Sequence, residues 1–530
     1  MASQKFCLLL LLAIVPLVLG KVQAGSAGRS RRDNENNQNQ FYRDVCVLGG
    51  GASGAYFAAL MKDKGKSVVV IDSDFELGGS CETYYFPAPS PSPSPSPATV
   101  ANNGHHTTAP PPTPAPLAWV ESGVQIFPDT AAAKAAGVGN WTVDTVAVVK
   151  RFAGPNAIIP INFNDLELVE ETFLVDIAAN FPIGYVPPSP PTTGYLEAFE
   201  AYNIILAQYP WLADYSYPDV IPPELLVSLT EFIEVNNLEP LAGLFNGFIL
   251  GGQGNSDDIV ALYGLTQMNQ IVLRLIEVVN ASFFVNNGCT SIYRGIANYL
   301  GPQNVLVNAT TVSVHRPSAD DCNNGRNRLS IVAGYNSYTY KPFLFLCDKV
   351  VISFPQTLQT LDFVDLDAVE TDLFSTVSYT YYFGGIINVN GGQAANTGTG
   401  FQVVNVNPEA FLDQPTYPGI ATMTRTQPFG PANVFSVSPT PRTEDEMFTV
   451  VAAGLRNVSS TILNATLVSV DLHQFRPVPG VQTLEVQPNF YKRGIAIQGY
   501  RNTYWLGSLW TAAGTFCVWN QALNIANQYF

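Results

Sequence analysis

Apolar positions along the chain change period several times, and those changes predict the elements. Val45-Cys46-Val47-Leu48 is a continuous apolar run stopped by glycines, the pattern of a strand buried on both faces. A helix-forming run from Ala55 to Lys64 and a turn at Gly65 follow, and Ser67-Val68-Val69-Val70-Ile71 then repeats the strand pattern, closed by Asp72. Strand, helix and strand in this order predict a parallel βαβ unit. Helical periodicity dominates from Thr192 to Leu300, clearest over Tyr195 to Ala207, Pro223 to Glu234 and Asp257 to Val278, and predicts a helical cap. β-rich sequence returns at Asn304 to Asn308 and Thr311 to Val314, before a polar hairpin tip at Asp320 to Arg328. Cys347 to Pro355 reads as another buried strand ended by proline. The stretch from Phe374 to Val470 alternates, with Tyr379, Tyr381 and Tyr382, so a mostly antiparallel sheet is expected there.

The turn between the first strand and helix, Gly49-Gly50-Gly51-Ala52-Ser53-Gly54, gives the βαβ unit a chemical use. Gly49 permits the tight turn, Gly51 lets backbone approach a pyrophosphate, and Gly54 lets helix pack on strand. The helix N-terminus offers free N–H groups and a positive dipole end to phosphates. Asp72 stands where a ribose hydroxyl needs an acceptor. A dinucleotide site is the expectation.

The N-terminus adds a compartment. Lys5 lies in a short positive region, Phe6 to Leu19 is apolar, and Val22-Gln23-Ala24 is a cleavage site of small residues, so a secretory signal over 1–24 is expected, with the protein secreted. No later run is long and apolar enough to span a membrane. Five sequons, at Asn140, Asn280, Asn308, Asn457 and Asn464, fit passage through a glycosylating lumen. Residues 25–40 form a polar leader, and the Pro/Ser-rich run within 87–116 reads as an extended surface insertion. Net charge of −16 disfavours nucleic acid and anionic membrane surfaces as partners. Beyond Cys7, six cysteines are scattered. Cys322 and Cys347 flank the expected hairpin and could pair, and Cys46 reads as a small buried hydrophobe. The histidines and cysteines form no metal-ligand spacing, so no metal is expected.

Beyond the glycine unit, the chain resembles the flavin-containing amine oxidase superfamily over most of its length. Asp72-Ser73-Asp74-Phe75-Glu76-Leu77-Gly78-Gly79-Ser80 is similar to that family's acid followed by a Gly-Gly pair near the flavin. Glu121 to Phe127 resembles its next flavin-side strand, Thr311-Val312-Ser313 the strand whose backbone meets the adenine, and Arg501-Asn502-Thr503-Tyr504-Trp505-Leu506-Gly507 its closing flavin motif. The resemblance implies an α/β fold: a Rossmann-type FAD-binding domain of amine oxidase type, interleaved with a substrate domain of mixed β-sheet plus helical cap. It implies FAD rather than NAD, held by Gly49, Gly51, Ala52, Ser53, Gly54, Asp72, Ser73, Gly78, Gly79, Ser80, Val124, Val312 and Gly507, with Tyr504 and Trp505 near the ring. The implied division is 41–130, 286–360 and 481–530 for the flavin domain, 131–285 for the cap and 361–480 for the β-rich part.

Two departures shape the expected chemistry. Ser80 stands where many relatives carry a flavin-attaching histidine, which excludes a histidyl link; Cys81 is a substitute attachment point or a plain buried thiol. Tyr379 to Ile387, similar to the strand that carries a water-holding lysine in amine oxidases, contains none. The run Leu244 to Gly254 and Arg501 to Tyr504 resemble the polyenoic fatty acid isomerase branch, which implies hydride removal from a doubly allylic carbon and its return elsewhere. Double-bond isomerisation of a polyunsaturated fatty acid is therefore the expected function. Oxidation of an amine or similar C–H donor with peroxide release is the alternative, and a non-catalytic flavin-binding protein a third. The expected partner is a small apolar substrate. Arg274 and Arg294 are its candidate carboxylate anchors, or else ion-pair residues.

Overall fold

The computed structural model describes residues 42–87, 117–124, 126–137, 141–161, 171–176, 181–185, 194–245, 254–277, 282–323, 329–378, 381–390, 401–407, 409–425, 430–458, 466–474, 487–512 and 514–530. The expected signal and leader, nearly all of the proline-rich insertion, and Asn140, Asn280 and Asn464 lie outside them.

The chain visits one central sheet three times. On the first visit β1 (Tyr42–Leu48), α1 (Ala52–Asp63) and β2 (Val68–Ile71) form the expected parallel unit. The continuous apolar run of β1 has a simple origin: Val45 and Val47 enter one core, and Cys46 and Leu48 enter the other. A two-stranded ribbon of β3 (Thr83–Pro87) and β4 (Leu117–Glu121) follows. The chain then leaves through β5 (Phe127–Pro128), α2 (Thr130–Ala135), α3 (Thr145–Ala153), β6 (Ile158–Ile161), β7 (Glu171–Asp176) and β8 (Phe181–Tyr185). The cap carries α4 (Tyr195–Leu206), α5 (Leu229–Val235), α6 (Ala261–Gln267) and α7 (Gln270–Glu277). The run of helical periodicity over Asp257 to Val278 thus holds two helices. Asn269 divides it, because its Oδ1 accepts from the N–H groups of Ile271 at 3.0 Å and Val272 at 3.1 Å, competing with the helical ladder.

On the second visit β9 (Ser282–Val285) pairs with β5 and β6, and α8 (Thr290–Leu300) leads to β10 (Val305–Leu306), parallel to β2. β11 (Ala309–His315), β12 (Ser330–Asn336) and β13 (Pro342–Ile352) form an antiparallel meander, and the second half of β13 pairs with β1 in parallel. The central order is β10-β2-β1-β13-β12-β11. A second excursion holds α9 (Ala368–Phe374), β14 (Tyr381–Asn390), β15 (Phe401–Asn405), β16 (Gly419–Arg425), β17 (Ala432–Ser438), α10 (Glu444–Val458) and β18 (Thr466–Gln474). These strands pair antiparallel in the order β18-β14-β17-β16-β15, as the alternation predicted, and β15 then joins β7 in parallel. Helix α10 was not expected there. Its start is written as a capping box: Glu446 N–H donates to Thr443 Oγ1, and Thr443 N–H donates to Glu446 Oε2. The third visit adds α11 (Phe490–Ala496), β19 (Thr503–Trp505), parallel to β13, and α12 (Thr515–Tyr529).

The cysteine expectations are corrected. Cys347 is joined to Cys46 rather than to Cys322, because β13 lies beside β1 and brings the two Cα atoms to 5.9 Å. Cys46 is therefore a disulfide half as well as a core residue. Cys81 is joined to Cys289 across a sequence separation of 208, so it is neither a free thiol nor a flavin attachment point. Cys322 and Cys517 are free.

Candidate functional site

The glycine turn is shaped by what each missing side chain would strike. Gly49 has φ +97°, and its N–H donates to Ile71 O at 2.9 Å, which fixes the turn to the end of β2. A Cβ on Gly54 would overlap Gly49 O and the Ser353 hydroxyl, so α1 seats on the turn only with glycine there. Ser353, just beyond β13, closes the far side by donating to Gly49 O at 2.6 Å. Gly50, which the fingerprint leaves unassigned, is equally constrained: its Cβ would lie 2.7 Å from Asp72 Oδ2. Asp72 itself is buried. Its Oδ2 accepts from the Gly50 N–H and its Oδ1 from the Asp74 N–H at 2.8 Å, so it braces the turn. Ser53 is buried in the first turn of α1, and Ala52 O accepts the Trp519 indole N–H at 3.1 Å.

The Gly78-Gly79 loop faces this turn. Gly78 N–H donates to Gly50 O at 2.9 Å, and Gly51 and Gly79 oppose each other so closely that a Cβ on Gly79 would lie 3.0 Å from the Gly51 Cα. The φ values of Gly78 and Gly79, +136° and +58°, are those glycine adopts freely. Helix α8 holds the loop from behind. The Tyr293 ring lies against Gly78, Cys289 carries the disulfide to Cys81, and Thr290 Oγ1 donates to Cys81 O at 3.2 Å. Arg294, one of the two anchor candidates, pairs with Glu76 at 2.9 Å and lies over the Tyr85 ring. Arg274, the other, is exposed in the last turn of α7. Ser73 and Ser80 are exposed beside the loop, and Val124 N–H donates to Ser80 O at 3.2 Å.

Sequence reasoning missed Glu121 as a charged group. At the end of β4 it is almost wholly buried, accepting from Cys289 N–H and from the Thr83 hydroxyl, each at 2.8 Å. Burial pushes its carboxyl up to about 7, with those two hydrogen bonds working against the shift. Its backbone carbonyl accepts from Asn433 of β17, which ties the flavin-side ribbon to the substrate sheet. Acid followed by a small polar residue at the end of an apolar strand was the available signal.

The remaining site residues converge from later in the chain. The β11–β12 register shifts between Thr311 and Ser313, which leaves Val312 without a paired residue on β12. Gly507 has φ +119°, follows Leu506 N–H donating to Ile352 O at 2.9 Å, and donates its own N–H to Gln521 Oε1 at 3.0 Å. Helix α12 packs against α1, with the Tyr56 and Trp519 rings 5.4 Å apart, so two helix N-termini meet near the same turns. Tyr504 and Trp505 do not form one aromatic wall. As successive strand residues they face opposite sides, Tyr504 against Tyr529 and Phe530 and Trp505 against Phe374. Arg501 is likewise structural: with Arg316 it shares the carboxylates of Asp365, which is half-buried, and of Glu370, which is buried.

A facing glycine pair, a helix N-terminus between them, a brace of buried carboxylate and a strand residue freed from its ladder fit an extended dinucleotide. Residues 47–115 match the model of the NAD(P)-binding Rossmann-like domain. Protein R656 of Acanthamoeba polyphaga mimivirus is 33% identical over 500 residues, covering 92% of this chain and 94% of that one, so the two belong to one family. The FAD-dependent oxidoreductase dpasF of Apiospora sacchari is 27% identical over 487 residues, 90% of each chain. The chain belongs to the family of protein R656. Two solved structures show the same fold, each at 13% identity over 92% of this chain and 99% of theirs: a CLA-producing fatty acid isomerase from P. acnes, with TM-score 0.64, and putrescine oxidase, with TM-score 0.58. This protein is an FAD-dependent enzyme, and Gly49 to Gly54, Asp72, Gly78, Gly79, Val312 and Gly507 are the residues that would hold a dinucleotide at these turns.

Proposed function

We propose that this flavoenzyme is secreted and isomerises a double bond of a polyunsaturated fatty acid, giving a conjugated product. One observation carries the reading. The β-rich part, 361–480, contains no lysine, and the cap, 131–285, has only Lys134 and Lys150 near its start. A wall without the lysine that resembling amine oxidases use to hold water is poorly suited to oxidase chemistry and well suited to chemistry needing little acid or base help.

FAD, when bound, supplies reversible acceptance of a hydride. The chain's own part is to bind, orient and keep water out. The cap interior is apolar, in keeping with an apolar substrate: Tyr202, Phe245, Leu229, Phe232, Ile233, Leu265 and Met268 are buried in one core. The likeness of fold to the CLA-producing fatty acid isomerase is consistent with this reading and does not carry it.

Purified holoprotein is to be incubated without oxygen with linoleic and linolenic acids, following conjugated diene and triene absorbance, and in air with the same acids and a panel of amines, following peroxide. Anaerobic rise of conjugated absorbance with no peroxide in air is expected. Peroxide release dependent on an amine would replace the isomerase with an oxidase, and bound flavin that no donor engages would replace both with a carrier. Secretion is checked on the exported protein, which should begin near Gly25 and shift in mass on deglycosylation.

A further inference from the structure

The substrate sheet has two unlike faces. Residues directly opposite one another on neighbouring strands point to the same side, and the registers sort them accordingly. Phe383, Val403, Met423 and Val434 share one face, and Tyr382, Thr422, Thr424, Asn433 and Phe435 share the other. The first face is sealed, with none of its four residues more than 1% exposed. The second is not: Tyr382, Thr422, Thr424 and Phe435 are only half-buried.

This second face looks toward the cofactor turns. Asn433 is buried there and donates to Glu121 O at 3.3 Å, and Val124, just beyond, donates its N–H to Ser80 O beside the Gly-Gly loop. A Cβ on Gly430, just ahead of β17, would overlap the Phe86 ring of β3, so the flavin-side ribbon lies close against this end of the sheet. Half-buried side chains on a face turned inward border a space. Tyr382 shows the enclosure: its phenol is held well above its usual ionisation by burial, so protein surrounds it and it stays protonated. Its ring and that of Phe435 are stacked, with centroids 5.5 Å apart and planes 18° from parallel. Tyr382 belongs to the stretch from Tyr379 to Ile387 that lacks a lysine, and β14, β16 and β17 place no charged residue on this face.

We propose that Tyr382 and Phe435 are specificity-determining residues, which select an unsaturated chain by holding its planar segment against their rings. The inference rests on the isomerase reading above and names where that substrate lies. A double bond is flat and presents π electrons, so it packs on an aromatic pair in offset geometry, whereas a saturated chain of the same length offers only rotating methylenes.

The holoenzyme is to be reduced anaerobically with dithionite, so that binding is read without turnover, and dialysed to equilibrium against radiolabelled linoleic or stearic acid, which are equal in chain length. Variants are compared at matched flavin content. The parent should hold linoleic acid about fivefold more tightly than stearic acid. Phe435→Leu and Tyr382→Leu, which remove a ring, should each bring the two acids to within about twofold. Tyr382→Phe, which keeps the ring, should retain the preference, as should Met423→Leu on the sealed face. A parent without preference overturns the proposal, and so does a preference that survives both ring-removing variants or is lost equally in Met423→Leu. Turnover separates this outcome from failure of the isomerase reading. If the oxidised parent conjugates linoleic acid while the preference ignores both rings, only the assignment of Tyr382 and Phe435 falls; if neither acid binds, both fall.

Discussion

A single methyl group tests the glycine turn more sharply than any larger change. At Gly54 the added Cβ of alanine would meet a backbone carbonyl, Gly49 O, and the hydroxyl that secures it, so α1 must move off the turn. Gly54→Ala should cost about 2 kcal/mol or more, the range of overpacked cores, and yield protein without visible flavin absorbance. Gly65→Ala is the control, since nothing lies within 4 Å of its Cβ and only its φ of +73° is penalised; a flavin-free Gly65→Ala protein would show that general destabilisation is being read. Glu121 makes the second prediction at this scale. Its carboxyl rises from an ordinary 4.5 to about 7, so below 4.5 both folded and unfolded states hold the proton and the folded state keeps its full stability. Between 4.5 and 7 the unfolded chain ionises first, and the advantage is lost, reaching about 3 kcal/mol above pH 7. Thermal melts at pH 5 and pH 8 should therefore fall further for the parent than for Glu121→Gln; parallel profiles would reject the assignment. Residues of this kind divide by legibility. Gly49, Gly51 and Gly54 could be read because their roles are local, whereas Glu121 depends on Thr83 and Cys289, the latter 168 positions away, which no local pattern reveals.

At the level of elements, pairings written over short distances were legible and those that depend on strand neighbours were not. The βαβ unit follows from its own residues, and so does the antiparallel run from β14 to β17. The disulfides do not, because Cys347 meets Cys46 only after β13 takes its place beside β1. Helix α10 was missed for another reason: its residues alternate well enough to pass for strand, and only the Thr443–Glu446 box marks its start. The two disulfides hold different things. Cys46–Cys347 staples adjacent strands of the central sheet, and Cys81–Cys289 ties the Gly-Gly loop to α8. Replacing Cys46 and Cys347 together by valine should lower the melting temperature, with about 5 kcal/mol as the upper bound from releasing so long a loop. Replacing Cys81 and Cys289 by serine should loosen flavin retention in dialysis at a smaller loss of melting temperature. Equal effects of the two pairs on retention would mean that neither acts on the loop itself.

The whole molecule assembles one sheet from three separated stretches, and the same interleaving concentrates its lysines away from the substrate side. Beyond the N-terminal Lys5 and Lys21 the chain has Lys62, Lys64, Lys66, Lys134, Lys150, Lys341, Lys349 and Lys492, of which only Lys134 and Lys150 fall within 131–285 and none within 361–480. Several have structural work: Lys349 donates to Tyr529 O at 2.7 Å and lies over the Phe530 ring, and Lys492 pairs with Asp219 at 2.6 Å in an exposed bridge of small value. Reductive methylation keeps their positive charge, so it preserves ion pairs while blocking any lysine that must exchange a proton or hold a water in one geometry. Exhaustively methylated holoenzyme should therefore keep its flavin absorbance and turn over substrate within about twofold of the parent. Lost turnover with the flavin intact would place a lysine in the reaction and remove the observation on which the isomerase reading stands. Lost flavin would instead implicate lysines of the cofactor sheet, of which Lys349 beside Tyr504 is the nearest to β19, and Lys349→Arg would then separate that effect from chemistry.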